Sequence, residues 1–426
     1  MAVAIPRDPV FDSTLSLLWQ GYPFVAQKCR QLNSDIFKTR LLLQPVICMQ
    51  GADAARLFYD PQRFERHDAM PMRVQRTLTG VGGVQGLDGV AHQQRKHLFL
   101  RHLMQQDSID ALAALHRNHW HLALSHWPLH QEMVLFDQAQ ILLCQSICEW
   151  AGIPVAEQAL TSHAKDLGQM IAGGARLGLP HWRGRWARAR CEEWIRQEIE
   201  RVRRESPQPA VSLLQAFAWH RDEHGRLLSS QIAAVEVLNI VRPTVAIAQL
   251  IVFCALAMHE YPHVKTALRT GDPDYLHWFI QEVRRFYPFF PFLAAYTRHP
   301  FNWKGYIFPA HTLTLLDIYG THHHPSDWPQ AGHFLPSRFQ SWQDDGFHLL
   351  ANGGGEYSHH RCPGEWITVT LLKEVVTLLV NDLDYTVPAQ NLNLSLRNIP
   401  TLPSSGFILR PRRYTPSSSL FAKHGH

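Results

Sequence analysis

The chain is short of charge and has no paired cysteines. Asp, Glu, Lys and Arg make up 18% of its 426 residues, below the usual quarter, as fits a large chain with much buried surface. The net charge of +5 is modest and spread along the sequence, which argues against a nucleic-acid partner. The seven cysteines (Cys29, Cys48, Cys144, Cys148, Cys191, Cys254 and Cys362) form no C-x-x-C pair and are odd in number. That speaks against a disulfide framework and a zinc site, and a reducing cytoplasm suits the set. Cys144 and Cys148 share a helix face in an apolar segment and read as core. No Gly/Ser run, low-complexity block or internal repeat divides the chain, so one large domain over residues 1–426 is expected. The opening MAVAIPRDPVFDSTLSLLWQGYPF has no continuous apolar segment behind a basic end. Neither a signal peptide nor a transmembrane anchor is expected.

One long apolar run stands out, from Leu227 to Pro262. Serines able to cap a helix precede it, and its length would span a bilayer. Glu236, Asn239, Arg242 and Gln249 within it make it a central helix of a globular core instead, apolar all round because it is wrapped all round. In its middle Arg242 precedes Pro243. An interior proline costs roughly 3 kcal/mol, and Pro243 is expected to break the helix. A buried guanidinium stays charged and needs an anion. The helical neighbours of Arg242 are Leu238, Asn239, Val245 and Ala246, none of them acidic. Its partner is either a distant Asp or Glu of the fold or a carboxylate brought by a ligand.

Around that run the pattern is mostly helical. Residues from Ile36 to Met49 read as two strands around a turn. A glycine- and arginine-rich loop follows, giving way at Val90 to a helix with His92, Arg95, Lys96 and His97. The glycines at 80, 82, 83, 86 and 89 lack the spacing and preceding strand of a phosphate-binding loop. Helical periodicity dominates from Ser108 to Glu260. The segment from Pro180 to Glu205 is a basic amphipathic helix, suited to a solvated outer face or a membrane surface. After the central helix come a helix ended by Pro288, short strand-like pieces, an irregular stretch to Phe339, a glycine-rich loop, a helix from about Gly364 to Leu379, and strands around Tyr385 and Phe407. The fold class is mainly α with small β-sheets.

Three patterns in the C-terminal half carry chemistry. Glu282 and Arg285 stand at i,i+3 on a helix, a pair that means little alone. Arg338 lies between aromatics in FLPSRF (334–339) and could complete a buried network with that pair. In GGGEYSHHRCPGE (353–365) a loop delivers Cys362 to a helix start, where free N–H groups and the helix dipole favour a thiolate. Such a thiolate is a soft anionic metal ligand.

In this order and spacing the three patterns resemble the cytochrome P450 superfamily, and the resemblance extends over essentially the whole chain. It implies a cytochrome P450 fold and a haem b whose iron (the metal of the site) is bound by Cys362. A cysteine thiolate pushes electron density onto the iron and favours O–O cleavage. There are departures. Gly355 and His360 stand where the cysteine loop usually has Phe and Arg. The acid–alcohol pair that relays protons from the central helix is replaced by Arg242-Pro243; Thr244 is present with no acid before it.

That exchange is similar to the bacterial fatty-acid peroxygenases, as are RPTVAIA (242–248), GVQGLDGVAH (83–92), EVRRFYPFFPF (282–292) and HRCPGEW (360–366). The resemblance implies that Arg242 binds a fatty acid's carboxylate, which then serves as the missing general acid and base. Gln85 stands where alkene-forming relatives place histidine, so hydroxylation is favoured. Arg66, His92, Lys96 and Tyr287 match propionate contacts, and Met70, Thr79, Phe289 and Phe292 are candidates to line the pocket. Thr79 is smaller than the family leads one to expect. The His322-His323-His324 run before Pro325 reads as a turn without a metal.

The expected activity is hydrogen-peroxide-dependent hydroxylation of a long-chain fatty acid at Cα or Cβ, with no redox partner required. Oxidative decarboxylation to a terminal alkene is the first alternative. A conventional monooxygenase fed by redox partners is disfavoured by the lost acid–alcohol pair. A haem or fatty-acid binding protein without catalysis is the alternative of another class.

Overall fold

The central helix runs from Ser230 to Glu260, 31 residues without interruption, in a computed structural model that describes residues 3–205 and 212–416. Ser229 caps it by accepting from the Ile232 N–H at 3.1 Å, worth about 1 kcal/mol. Between Ala233 and Met258 every residue is buried except Pro243. Helices Leu135–Ala151, Leu179–Arg204 and Glu365–Asn381 pack around it. Among the described residues it is the one helix long and apolar enough to cross a bilayer, and its apolar surface is buried within the protein.

Pro243 does not break it. The proline leaves the Asn239 carbonyl without its helical donor, and the Thr244 hydroxyl donates to the Ile240 carbonyl at 2.8 Å. Packing on both flanking turns outweighs the local penalty.

The strands near the N-terminus join two strands from the 292–317 region in one sheet, whereas the last strands, Leu383–Thr386 and Ile408–Tyr414, pair with Met133–Val134 in another. Ile36–Leu41 pairs antiparallel with Gln44–Met49, with Phe37 opposite Cys48. Gln44–Met49 then pairs parallel with Leu313–Asp317, placing Val46 beside Leu313. Phe292–Thr297 adds antiparallel to Leu313–Asp317, and Phe64–Glu65 closes the order. A three-stranded and a two-stranded sheet are separate. The loop expected before Val90 contains a helical turn, Met72–Val74 continuing as a π-turn over Gln75–Thr79. Packing on the Leu179–Arg204 helix stabilises it, a tertiary effect with no local signal.

Helix Pro273–Phe286 begins with Asp272 accepting from the Asp274 N–H and presents Glu282 and Arg285 to the interior. Arg285 makes a two-pronged bond to Glu282, 2.7 Å at each oxygen. Arg338 adds its Nε at 3.2 Å to Glu282 Oε1, and the Leu335 N–H donates to the same oxygen. Arg285 also donates to the His322 and Ala331 carbonyls. One carboxylate thus serves two guanidiniums, whose remaining N–H groups go to backbone carbonyls, so the cluster ties the helix to the irregular stretch.

Candidate active site

The glycine-rich loop is fixed by a second ion network. Glu365, the first residue of helix Glu365–Asn381, accepts from Arg284 at 2.5 Å, from Arg361 at 2.8 Å and from the Tyr357 hydroxyl at 2.9 Å. Arg284 also reaches Asn352 Oδ1 at 2.8 Å, and the Cys362 N–H donates to the Asn352 carbonyl at 2.9 Å. Both ends of the loop are thereby clamped around one residue. Gly355 has φ +71°, and a Cβ there would stand 3.4 Å from the Tyr59 ring, so glycine suits both the backbone and the space. Of the seven cysteines, six are buried and Cys362 alone is partly accessible.

A face of the central helix is accessible in the same way. Arg242, Pro243 and Ala246, at i, i+1 and i+4, are its most accessible positions between Ala233 and Met258 and fall on one side of the helix. The Arg242 guanidinium has no carboxylate partner among the described residues, and its Nε is buried without an acceptor. Burial, followed by the neighbouring Arg188, pushes its pKa down to about 9, with the charge of Cys362 pulling the other way. Of the two origins open for its anion, the described residues do not supply the first, an acid of the fold.

One helical turn earlier, Asn239 Nδ2 donates to Glu236 Oε2 at 3.2 Å and to Gln85 Oε1 at 3.1 Å. Glu236 is fully buried and paired with Arg95 at 3.0 Å, and Arg95 also donates to the Gly82 carbonyl at 2.8 Å. The loop carrying Gln85 is therefore pinned to the central helix. Thr79 Oγ1 lies 3.3 Å from Met70 Sδ, and a Cβ on Gly83 would sit 3.1 Å from the Thr79 carbonyl and 2.8 Å from Asn239 Nδ2. Met70, Thr79, Gln85 and Arg242 thus belong to contiguous elements. Phe289 leans on the main core, whereas Phe292 packs against the cluster around Phe24 and Phe37.

At another edge a cavity of about 170 Å³ is lined by Phe58, Tyr59, Arg66, Asp88, His92 and His360, among others. The Arg66 guanidinium lies 4.0 Å over the Phe58 ring and donates to the Ala294 carbonyl at 3.1 Å. His92 and His360 have ring centroids 4.2 Å apart. Burial lowers the pKa of both imidazoles, His92 to about 3 with the nearby His360 adding to the shift, and His360 to about 4 with the bond to Asp88 opposing it. Lys96 Nζ donates to the Arg361 carbonyl at 2.5 Å, and burial lowers its pKa to about 8 while the charge of Cys362 opposes the shift.

Tyr287 is a correction. Its hydroxyl donates to Glu260 at 3.2 Å and its ring stacks on Phe253 at 4.9 Å, a core position away from Arg66, His92 and Lys96. Its place just after the helix end turns it toward the end of the central helix. Sequence reasoning missed Asp88, which accepts from the backbone N–H groups of Arg66 and His67, and the ring contact of His360 with His92. The three consecutive histidines face different partners: His322 accepts from the Leu350 N–H, His323 contacts the Tyr319 carbonyl and His324 contacts Asp35.

A family model described as Cytochrome P450 matches residues 272–414. Among curated relatives, cytochrome P450 71D180 of Origanum vulgare is 28% identical over 119 residues, 27% of this chain and 23% of that protein. Cytochrome P450 4A7 of Oryctolagus cuniculus is 26% identical over 51% of this chain and 45% of its own length. The chain thus spans about a quarter to a half of these relatives. Solved structures match far more fully. Cytochrome P450EX alpha (CYP152N1) with myristic acid is 42% identical, covering 96% of this chain and 98% of that one, with a TM-score of 0.92. A cytochrome P450 OleT variant in complex with arachidonic acid is 32% identical over 98% of this chain and 100% of that chain, at a TM-score of 0.93.

The chain belongs to the cytochrome P450 superfamily. Within it, the chain stands in the branch that the RPTVAIA and HRCPGEW motifs had singled out. Membership implies a cysteine-ligated haem iron, and the residues present fit that group. One accessible thiol sits on a clamped loop, and Arg66, His92 and Lys96 offer cationic or donor groups for the propionates.

Proposed function

We propose that this protein uses hydrogen peroxide to hydroxylate a long-chain fatty acid at Cα or Cβ, with Cys362 as the haem thiolate. The observation that carries the reading is the unpartnered cation at Arg242, buried on the most accessible side of the central helix. Haem, when bound, supplies the oxidising chemistry that peroxide starts. Everything else is done by side chains. Arg242 binds the carboxylate through charge-assisted hydrogen bonds, two where the fork is fully engaged. Fixing the head group at Arg242 would set which carbons of the acid are presented for oxidation when haem is bound.

Among the described residues, the alcohol and the acid of the central helix nearest Arg242 are engaged elsewhere. Thr244 donates to Ile240 and Glu236 is engaged by Arg95 and Asn239. With haem bound, the carboxylate held by Arg242 would accept a proton from peroxide and return it to the oxygen that leaves, so that O–O cleavage releases one water and the second oxygen ends in the substrate's new hydroxyl. No reductase partner enters this scheme. Six buried, unpaired cysteines support a place in the cytoplasm.

Gln85 supports hydroxylation over decarboxylation, because a carboxamide held by Asn239 neither takes nor gives a proton at neutral pH. Product analysis by gas chromatography and mass spectrometry tests this, using the haem protein, myristic acid and peroxide without a reductase. Hydroxy acids at Cα or Cβ are expected. A one-carbon-shorter alkene would replace the reading with decarboxylation, and bound acid without product would replace it with a binding protein.

A further inference from the structure

Two stretches of the chain have no acidic residue and are rich in arginine, and the fold brings them together. Residues 69–87 hold Arg73 and Arg76, and residues 167–191 hold Arg176, Arg183, Arg185, Arg188 and Arg190. Arg73 donates to the Arg176 carbonyl at 2.7 Å. Arg188 donates to the Leu78 carbonyl at 2.6 Å, and a Cβ on Gly184 would stand 2.8 Å from Thr77 Cγ2. One side of the Leu179–Arg204 helix, with His181, Gly184 and Arg188, is thus seated on the turn that carries Thr79.

Its other side is turned to solvent and is apolar. Leu179, Trp182 and Trp186, at i, i+3 and i+7, are 67%, 48% and 58% exposed, with Leu177 beside them and Met72 and Val81 exposed on the adjoining segment. A contiguous apolar face of this kind marks an interaction site. Its charges point one way. Arg188 and Arg190 are paired with Glu192 and Asp166, but Arg73, Arg76, Arg176, Arg183 and Arg185 have no carboxylate partner among the described residues. Arg185 lies 5.2 Å over the Trp182 ring. Tryptophan and leucine at the tip with unpaired arginines around them match an apolar interface beneath anionic head groups.

We propose that this face, the Met72–Thr79 turn with the first half of the Leu179–Arg204 helix, docks the protein on an anionic lipid bilayer. The docked turn is also the outer wall of Thr79 and Met70, so an acid leaving the bilayer would enter where its pocket lies. That last consequence rests on the fatty-acid reading; the docking does not.

The test is co-sedimentation of the full-length haem protein with phosphatidylcholine vesicles, with and without phosphatidylglycerol, at low and high salt. Wild type is expected to pellet with the phosphatidylglycerol vesicles and to be released in large part by salt. Arg176→Ala with Arg183→Ala should lower the partition coefficient on the order of tenfold at low salt. Trp182→Ala with Trp186→Ala should lower it at both salts, because apolar burial is not screened. The haem absorbance shows that these surface variants still fold. Equal pelleting with both vesicle types, or none with either, overturns the proposal. So does a vesicle-free dimer that the tryptophan variant abolishes, which would assign the face to a second copy of the chain. Turnover enters none of these readouts, so failure of the fatty-acid reading leaves them unaffected.

Discussion

Asn239 donates its side-chain amide to Gln85 Oε1 at 3.1 Å while the same nitrogen reaches Glu236. Gln85 is thereby oriented with its oxygen toward the central helix. Asn239→Ala should release this orientation and change the ratio of Cα to Cβ products. The affinity for the acid should stay, since Arg242 is untouched. Chromatography of the hydroxy acids reads the ratio, and an unchanged ratio would separate Gln85 from product choice.

Arg242→Ala should abolish peroxide-driven oxidation and leave haem binding intact. A charged hydrogen bond is worth about 1.5–3 kcal/mol, so the acid's Kd should rise roughly 10- to 100-fold. Arg242→Lys keeps charge without the fork and should fall between. Spectral titration of the bound haem measures each value. Turnover surviving in the alanine variant would sink the carboxylate anchor.

Cys362→Ser should remove the thiolate signature from the spectrum of the reduced carbonyl complex, even where haem is retained. The other six cysteines are buried and offer no substitute. An unaltered spectrum would refute the ligand assignment.

Glu282→Ala should leave Arg285 and Arg338 as buried cations without their carboxylate. Breaking such a buried pair costs about 3–5 kcal/mol. The expected result is a large fall in the urea midpoint, or no soluble haem protein. A midpoint near that of wild type would mean that the cluster is not a fastening of the fold.

His324 makes one contribution to stability dependent on pH. Asp35, 3.0 Å from its Nε2, and Asp327, 3.5 Å from Nδ1, raise its pKa, the bond to Asp35 being the larger cause. The fold then holds a proton that the unfolded chain releases near pH 6.5. This stabilisation is complete below that value and fades as pH rises through the higher folded one. Thermal midpoints of wild type should therefore fall relative to His324→Gln between about pH 6 and 8, by a modest amount because the pair is partly exposed. Parallel curves would exclude the contribution.

The chemistry was legible because it is local. Cys362 before a helix, Glu282 with Arg285, and an arginine-proline step in an apolar run are patterns of adjacent residues. What escaped was decided at a distance. Tyr287 follows a recognisable motif, yet Glu260 and Phe253 determine where it lies. Pro243 reads as a break because the helices that hold its flanking turns are far away in sequence. The ring contact of His92 with His360 joins residues 268 positions apart, and the helical turn before Thr79 exists because another helix rests on it.

Val46 lies beside Leu313 in the five-stranded sheet. A ribosome making this chain exposes the strand Gln44–Met49 early, and its parallel partner emerges some 270 residues afterwards, roughly 15 to 50 s later at ordinary rates of synthesis. For that interval one edge of the hairpin remains open to any passing strand. Vectorial synthesis therefore makes this apolar edge a client for holding chaperones, and slower elongation through the middle of the message lengthens its exposure.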